Sequence, residues 1–428
     1  MNRNLGIDPG VCFVIALAGM TQLRGHNSNA GTPAKDELMK RWCVILYLCM
    51  LLQPPASISA QTLPEMRPGT SGFAFTSPST PPQLDASENE SNTNGFPTGA
   101  GVKLGRLTVL PDDGRELYFS AIDAATDQIR IEICVLEDPQ ILQHLQAALS
   151  RGVRVRVIVD RGKYSALNAE QQNLALYLTS AGGQLHLSNP VFPRSFPKII
   201  LIDSKLFVYG SACLDETTFM QYRDFATANT DAQTLDELER LFENDWRYSA
   251  EVGQQPPPFN PTAHISGTDL MISPVNSADR LVRLYQKAKQ TLDVYTESLG
   301  NLTLESELFA AAKRGVRVRL IAPVQVNGAT PEVQQLQIDS LKALTAAGVR
   351  VHVSGPQESA QLPYMHARVA IVDGSIAYLG SVSLSPDSIT FNREMGLISQ
   401  QPLLVRGLDA QFQSDYLSRT KSYPPPED

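Results

Sequence analysis

The sequence predicts an α/β protein made of two copies of one unit, each a sheet with helices on both faces. Three observations carry this. Apolar runs of strand length alternate with longer segments of helical periodicity. The hexapeptide Arg-Gly-Val-Arg-Val-Arg stands at 151–156 and again at 314–319, an offset of 163 residues. Pro111 and Pro274, and Ile129-Arg130-Ile131 and Leu292-Asp293-Val294, share that offset.

Taken in order, residues 1–38 show no periodic pattern. Lys40-Arg41 then precedes the apolar run 42–52 (WCVILYLCMLL), followed by Gln-Pro-Pro and Ala-Ser-Ile-Ser-Ala. A basic start, an apolar centre and a small-residue exit describe a secretory signal peptide. Eleven apolar residues are too few to span about 30 Å of hydrocarbon. Met39 stands directly before Lys40, so translation is expected to start there. That makes 1–38 a dubious extension and 39–60 the signal peptide, cut near Ser59–Ala60, although Ile58 is not ideal three residues before that cut.

The protein is thus expected outside the cytoplasm, periplasmic or secreted, with no stable membrane anchor after cleavage. The formal charge of −8 becomes −10 once residues 1–60, with five Lys/Arg and three Asp/Glu, are gone. An acidic chain gives no support to a nucleic-acid partner. Of five cysteines only Cys134 and Cys213 remain. An oxidising compartment permits a disulfide between them, and their apolar strand-like contexts suit two unpaired thiols as well.

Residues 61–105 are rich in Pro, Ser, Thr, Asn and Gly and read as a disordered tether. The first unit, 106–253, opens with a strand at 107–110. It continues as strand 129–135, helix 139–150, strand 153–159, helix 169–180 and strand 184–187. The Arg-Gly-Val after the first helix is a basic helix end with a glycine stop. A Pro-rich linker, 254–265, leads to the second unit, 266–418, where Val351-His352-Val353 repeats Leu185-His186-Leu187.

The stretch 362–396 carries the chemistry. His366 stands two residues before Arg368 and is followed by Asp373 at the end of the apolar run 369–372. Alternation along a strand puts the imidazole and the guanidinium on one face. With Gly380-Ser381 nearby, that suits an anionic, phosphate-like group. Asn392 and Glu394 follow, and Glu394 is expected to orient the imidazole.

These residues resemble the phospholipase D superfamily, whose signature is His-x-Lys-x4-Asp, then Gly-Ser-x-Asn, then Asn-x-Glu. The second unit reads His366-x-Arg368-x4-Asp373, Gly380-Ser381-x-Ser383 and Asn392-x-Glu394. In the first unit the same register gives Phe196-x-Lys198-x4-Asp203, Gly210-Ser211-x-Cys213 and Tyr222-x-Asp224. Seven residues separate Asp from Gly in each copy.

The resemblance implies two phospholipase D-like repeats packed about a pseudo-two-fold axis, with both motifs in one cleft. It implies that one histidine attacks phosphorus while the other protonates the leaving alcohol, and that no metal or other cofactor is needed. On this reading His366, Arg368, Lys198 and Glu394 are catalytic. Lys198, Arg368, Ser211, Ser381 and Ser383 bind the phosphate, and Asp203 and Asp373 are structural. Phe196 can neither attack nor transfer a proton. No other histidine replaces it: His186 and His352 are repeat equivalents with core or edge roles, His144 lies within a helix and His264 in the linker.

The function implied is an exported phospholipase D-like phosphodiesterase, a hydrolase of phospholipid or a related phosphodiester, monomeric and of reduced activity. One alternative is an inactive relative that binds phospholipid or another phosphoanion. Another is a nuclease-like or cardiolipin-synthase-like member.

Overall fold

The computed structural model describes residues 102–260, 269–354 and 363–424. The expected leader, most of the tether and His264 lie outside the described residues. Chain order begins with β1 (Thr108–Leu110), α1 (Glu116–Asp123), β2 (Gln128–Ile133), α2 (Pro139–Ser150), β3 (Arg154–Val159), α3 (Arg161–Ala166) and α4 (Ala169–Ser180). Then come β4 (Gln184–Leu187), β5 (Ile199–Ile202), β6 (Leu206–Gly210), α5 (Glu216–Gln221), β7 (Tyr222–Asn229), α6 (Ala232–Arg247) and β8 (Ala250–Glu251). The second half has β9 (Leu270–Ser273), α7 (Ser277–Gln286), β10 (Thr291–Tyr295), α8 (Leu302–Lys313), β11 (Arg317–Pro323), α9 (Pro331–Ala346) and β12 (Arg350–Ser354). It ends with β13 (Tyr364–Met365), β14 (Arg368–Val372), β15 (Ile376–Gly380), α10 (Pro386–Thr390), β16 (Glu394–Ser399), α11 (Pro402–Ser414), a π-helical turn (Asp415–Arg419) and β17 (Lys421–Ser422). Leu104, just before the expected unit boundary, already bridges Ala228.

The two sheets repeat one topology. The first runs β1-β7-β6-β5-β2-β3-β4-β8, and the second, read from its other end, β9-β16-β15-β14-β10-β11-β12-β17. Local signals explain the elements. Asp138 caps α2 by accepting from Gln140 N and Ile141 N, with Pro139 at the first helical position. Asn301 caps α8 in the same way, 163 residues on. Gly152 and Gly315 end these helices at φ of 88° and 85°, the left-handed region glycine adopts without strain.

Alternation within strands divides the core. Ile200 and Ile202 face an outer core with Ile129, Ile131 and Val157, while Ile199 and Leu201 face a core shared by both halves. That shared core also holds Phe225, Tyr295, Met365 and Met395, and is filled by Leu238 and Phe242 of α6 and Leu408 and Phe412 of α11. Each sheet is therefore covered on both faces, which explains the unbroken apolar runs of β5 and β6. Among the described residues no helix is long and apolar enough to cross a membrane.

Cys134 and Cys213 form a disulfide, which decides between the two readings open in the sequence. The segment after β2 runs beside the segment after β6, as the bridge between Leu136 and Leu214 shows, and this brings together cysteines 79 residues apart. Asp203 and Asp373 each hold a turn at φ 50°. The Asp203 carboxylate accepts from the backbone N–H groups of Thr126, Asp127 and Gln128, and that of Asp373 from Lys289, Gln290 and Thr291. His186 stacks on Trp246 and His352 on Tyr416. His144 does have a partner, Asp123 at 2.8 Å, and stacks on Phe119 at the surface.

Two buried ion pairs cross between the halves. Arg223 of β7 donates to Asp415 at 3.1 Å, and Arg393, just before β16, donates to Asp245 of α6 at 2.8 and 2.9 Å. Tyr295 also donates to Asp415, at 2.9 Å. Removing one member of such a pair leaves a buried charge unmatched. Asp415→Ala is therefore expected to lower the unfolding free energy by about 3–5 kcal/mol in denaturant titration.

Candidate active site

The halves meet where the end of each motif lies on the other half's strand. β13 pairs in parallel with the start of β7, Tyr364 opposite Tyr222 and Met365 opposite Arg223. His366 N then donates to Arg223 O at 3.2 Å. The matching contact is Phe196 N to Arg393 O at 2.7 Å, beside a bridge between Ser195 and Arg393. Phe196 thus stands where symmetry would place a second imidazole, and its ring packs against the outer core of the first half.

Pairing across the halves corrects one expectation. The carboxylate on the His366 imidazole is Asp224 of the first half, Oδ2 to Nδ1 at 2.6 Å, and not Glu394. Glu394 holds the equivalent position on its own strand. Its oxygens accept instead from Ser388 Oγ at 2.7 Å and Asn392 Nδ2 at 3.0 Å. The repeat register aligns Asp224 with Glu394, so the signal for Asp224 was present in the sequence.

The electrostatics follow from burial. Desolvation, reinforced by Arg368 and Lys198, holds the His366 imidazole neutral, well below its ordinary range. Desolvation pushes Asp224 up to about 7 against the pull of Lys198 and Arg368. Once Asp224 is ionised, the contact assigns the proton to Nδ1 and leaves the Nε2 lone pair free, the form a nucleophile needs. Lys198 is drawn down to about 7 by burial and then by Arg368.

The two cations are already engaged. Lys198 Nζ donates to the Ser211 carbonyl. Arg368 donates through Nε to Ser383 Oγ at 3.1 Å, through Nη1 to the His366 carbonyl and through Nη2 to Glu297. Glu297 and Tyr364, whose hydroxyl donates to Glu297 at 2.9 Å, belong to the site and carry no motif signal. Tyr222 lies against it, its ring 5.1 Å from that of His366.

Two of the three serines expected on the phosphate are spent elsewhere. Ser211 Oγ donates to Asp224 Oδ1 at 2.6 Å and accepts from Phe225 N at 3.0 Å. Ser381 Oγ donates to Met395 O at 3.1 Å and accepts from Met395 N at 3.0 Å. The glycine before each explains the tight packing. A Cβ on Gly210 would sit 2.1 Å from Phe225 O, and one on Gly380 2.4 Å from Gly396 Cα. The Gly-Ser pairs therefore fasten β6 to β7 and β15 to β16. Ser383 remains beside Arg368.

The family description "Cardiolipin synthase, PLD-like domain" matches residues 118–246 and 281–416, more than half of the chain. The chain belongs to this phospholipase D-like family and carries its domain twice. A cardiolipin synthase of Clostridium perfringens is 23% identical over 350 residues, 72% of this chain and 71% of that protein. Cardiolipin synthase A of Pseudomonas putida is 25% identical over 373 residues, 78% of this chain and 74% of that one. In fold, the chain resembles the phosphatidylserine synthase of Haemophilus influenzae, with a TM-score of 0.60 at 13% identity over 75% of this chain and 88% of that one. The polyphosphate kinase of Porphyromonas gingivalis gives 0.54 at 16%, over 80% and 52%.

Glu394 provides a test of the site's electrostatics. Burial lifts its carboxyl to about 7, opposed by Arg368, Ser388, Asn392 and Lys198. Because the folded value lies above the ordinary 4.5, the folded state binds more protons between the two, and stability falls as pH rises through that window. Glu394→Gln removes this penalty. Its melting temperature relative to the parent is expected to climb between pH 4.5 and 7 and level off above. A difference that does not change with pH would contradict the assignment.

Proposed function

We propose that the protein cleaves or transfers the phosphodiester of a phospholipid with His366 as its nucleophile. The observation that carries this reading is the 2.6 Å contact between His366 Nδ1 and Asp224 across the halves, with Lys198 and Arg368 beside it. Nε2 attacks phosphorus, and the P–O bond to the leaving alcohol breaks with its electron pair on that oxygen. A phosphohistidine results. Water or an acceptor alcohol then attacks phosphorus and the P–N bond breaks with its electron pair returning to Nε2; solvent takes the proton of the attacking oxygen and protonates the departed alkoxide. Phe196 offers the leaving alcohol no proton. Turnover is accordingly slow and favours good leaving groups, by about 10²–10⁴ relative to a site with two imidazoles.

Phospholipid is favoured over nucleic acid by the acidic chain and by the curated relatives, which are cardiolipin synthases. Phe391, beside Asn392, is 54% exposed, which suits an apolar substrate. Export to the periplasm or beyond belongs to the same proposal. It rests on the apolar leader and on a disulfide of the kind oxidising compartments sustain. The second reading, an inactive phosphoanion-binding relative, rests on Phe196 alone.

Hydrolysis of bis(p-nitrophenyl) phosphate, and release of head group from phosphatidylglycerol vesicles, separate the two. The parent should turn over slowly, and His366→Ala should abolish turnover in a folded protein. Asp224→Asn should lower it by roughly 10²–10⁴, through loss of the oriented imidazole. Phe196→His should raise it by about 10² or more. Turnover that survives His366→Ala would refute the nucleophile, and no turnover in either the parent or Phe196→His would favour the inactive reading.

A further inference from the structure

The site holds more anions than cations. Around the neutral imidazole stand Lys198 and Arg368, against Asp224, Glu297 and Glu394. Asp224 is committed to His366 and Ser211, and Glu394 to Ser388 and Asn392. Glu297 is different. It stands two residues past the end of β10 and puts Oε2 on Arg368 Nη2, the one guanidinium nitrogen not given to Ser383 or to a backbone carbonyl.

Its other oxygen accepts from Tyr364, whose hydroxyl in turn accepts from Asn327 N at 2.9 Å. Lys198 and Asp224 also feel the Glu297 charge, so it stands within reach of both cations. Its side chain is 14% exposed, whereas that of Asp224 is fully buried, so it alone of these two can swing clear without unpacking the core. In the first half the equivalent residue is Cys134, locked in the disulfide, so the arrangement has no twin.

We propose that Glu297 is a resident anion in the phosphate seat, a specificity-determining carboxylate that a phosphodiester must displace from Arg368 before it can bind. The guanidinium nitrogen that Glu297 now occupies, Nη2, is the one left to meet a phosphate oxygen. Like charge then opposes small anions, and only a ligand with further contacts outside the seat displaces the carboxylate. This rests on the reading of the cleft as a phosphate site.

Calorimetric titration of orthovanadate and inorganic phosphate at low ionic strength tests it, on the full chain and its Glu297→Gln and Tyr364→Phe variants. Glu297→Gln should tighten the binding of both anions at least tenfold. Tyr364→Phe, which loosens the carboxylate without removing it, should tighten it by a smaller factor, and it stands in if Glu297→Gln fails to fold. Unchanged or weaker binding in folded variants, with the parent showing His366-dependent turnover, would overturn the Glu297 proposal alone. Folded parent and variants that bind neither anion would overturn it together with the phosphate reading.

Discussion

Arg223 and Arg393 each start from the strand that carries their half's last motif and end on an aspartate of the other half. Both are buried, and neither charge has water to fall back on. Each pair therefore has one satisfactory arrangement, and together they set the height and angle at which the halves dock. Everything chemical sits on top of that constraint. The carbonyl of Arg223 receives His366 N, and the carbonyl of Arg393 receives Phe196 N. A docking error of one residue would carry His366 away from Asp224, because the two reach each other only across the seam.

Burial then decides what the cluster can do. Three carboxylates, two cations and an imidazole share a space with little solvent, so desolvation outweighs most of the pairwise attractions. Its effect is to draw unlike groups toward one value: Asp224 and Glu394 upward, and Lys198 downward, all to about 7. Burial thus works against the charged form of all three groups.

Repetition made much of this legible in the sequence. The doubled Arg-Gly-Val-Arg-Val-Arg placed helix ends and strands, and the aligned motifs brought Lys198 and Arg368 to one region. What failed to show was what depends on contact across the seam. Glu394 looked like the partner of His366 because it lies close in sequence and completes the motif, yet strand pairing assigns that role to Asp224. Ser211 and Ser381 looked like phosphate donors because nothing in a Gly-Ser pair reveals how near the next strand runs. The disulfide depended on two strand ends lying side by side, 79 residues apart. Glu297 gave no signal, since its repeat equivalent is a cysteine with another purpose.

Phe196 also bears on how such a chain can change over generations. A site built from two copies ordinarily ties both to the same chemistry, and a loss in either is felt as lost activity. Here the phenyl ring packs against the hydrophobic core of the first half, so a substitution beside it acts through fit and not through reactivity. Cys213 and Tyr222, both departures from the family pattern, lie in the same half. The second half has no such freedom, because His366 has no duplicate in the first. Gene duplication is usually pictured as releasing one of two separate proteins from selection. In this protein the two copies are covalently joined, and the one that lost its histidine must keep its shape, with Lys198 and Asp224, for the other to keep its site.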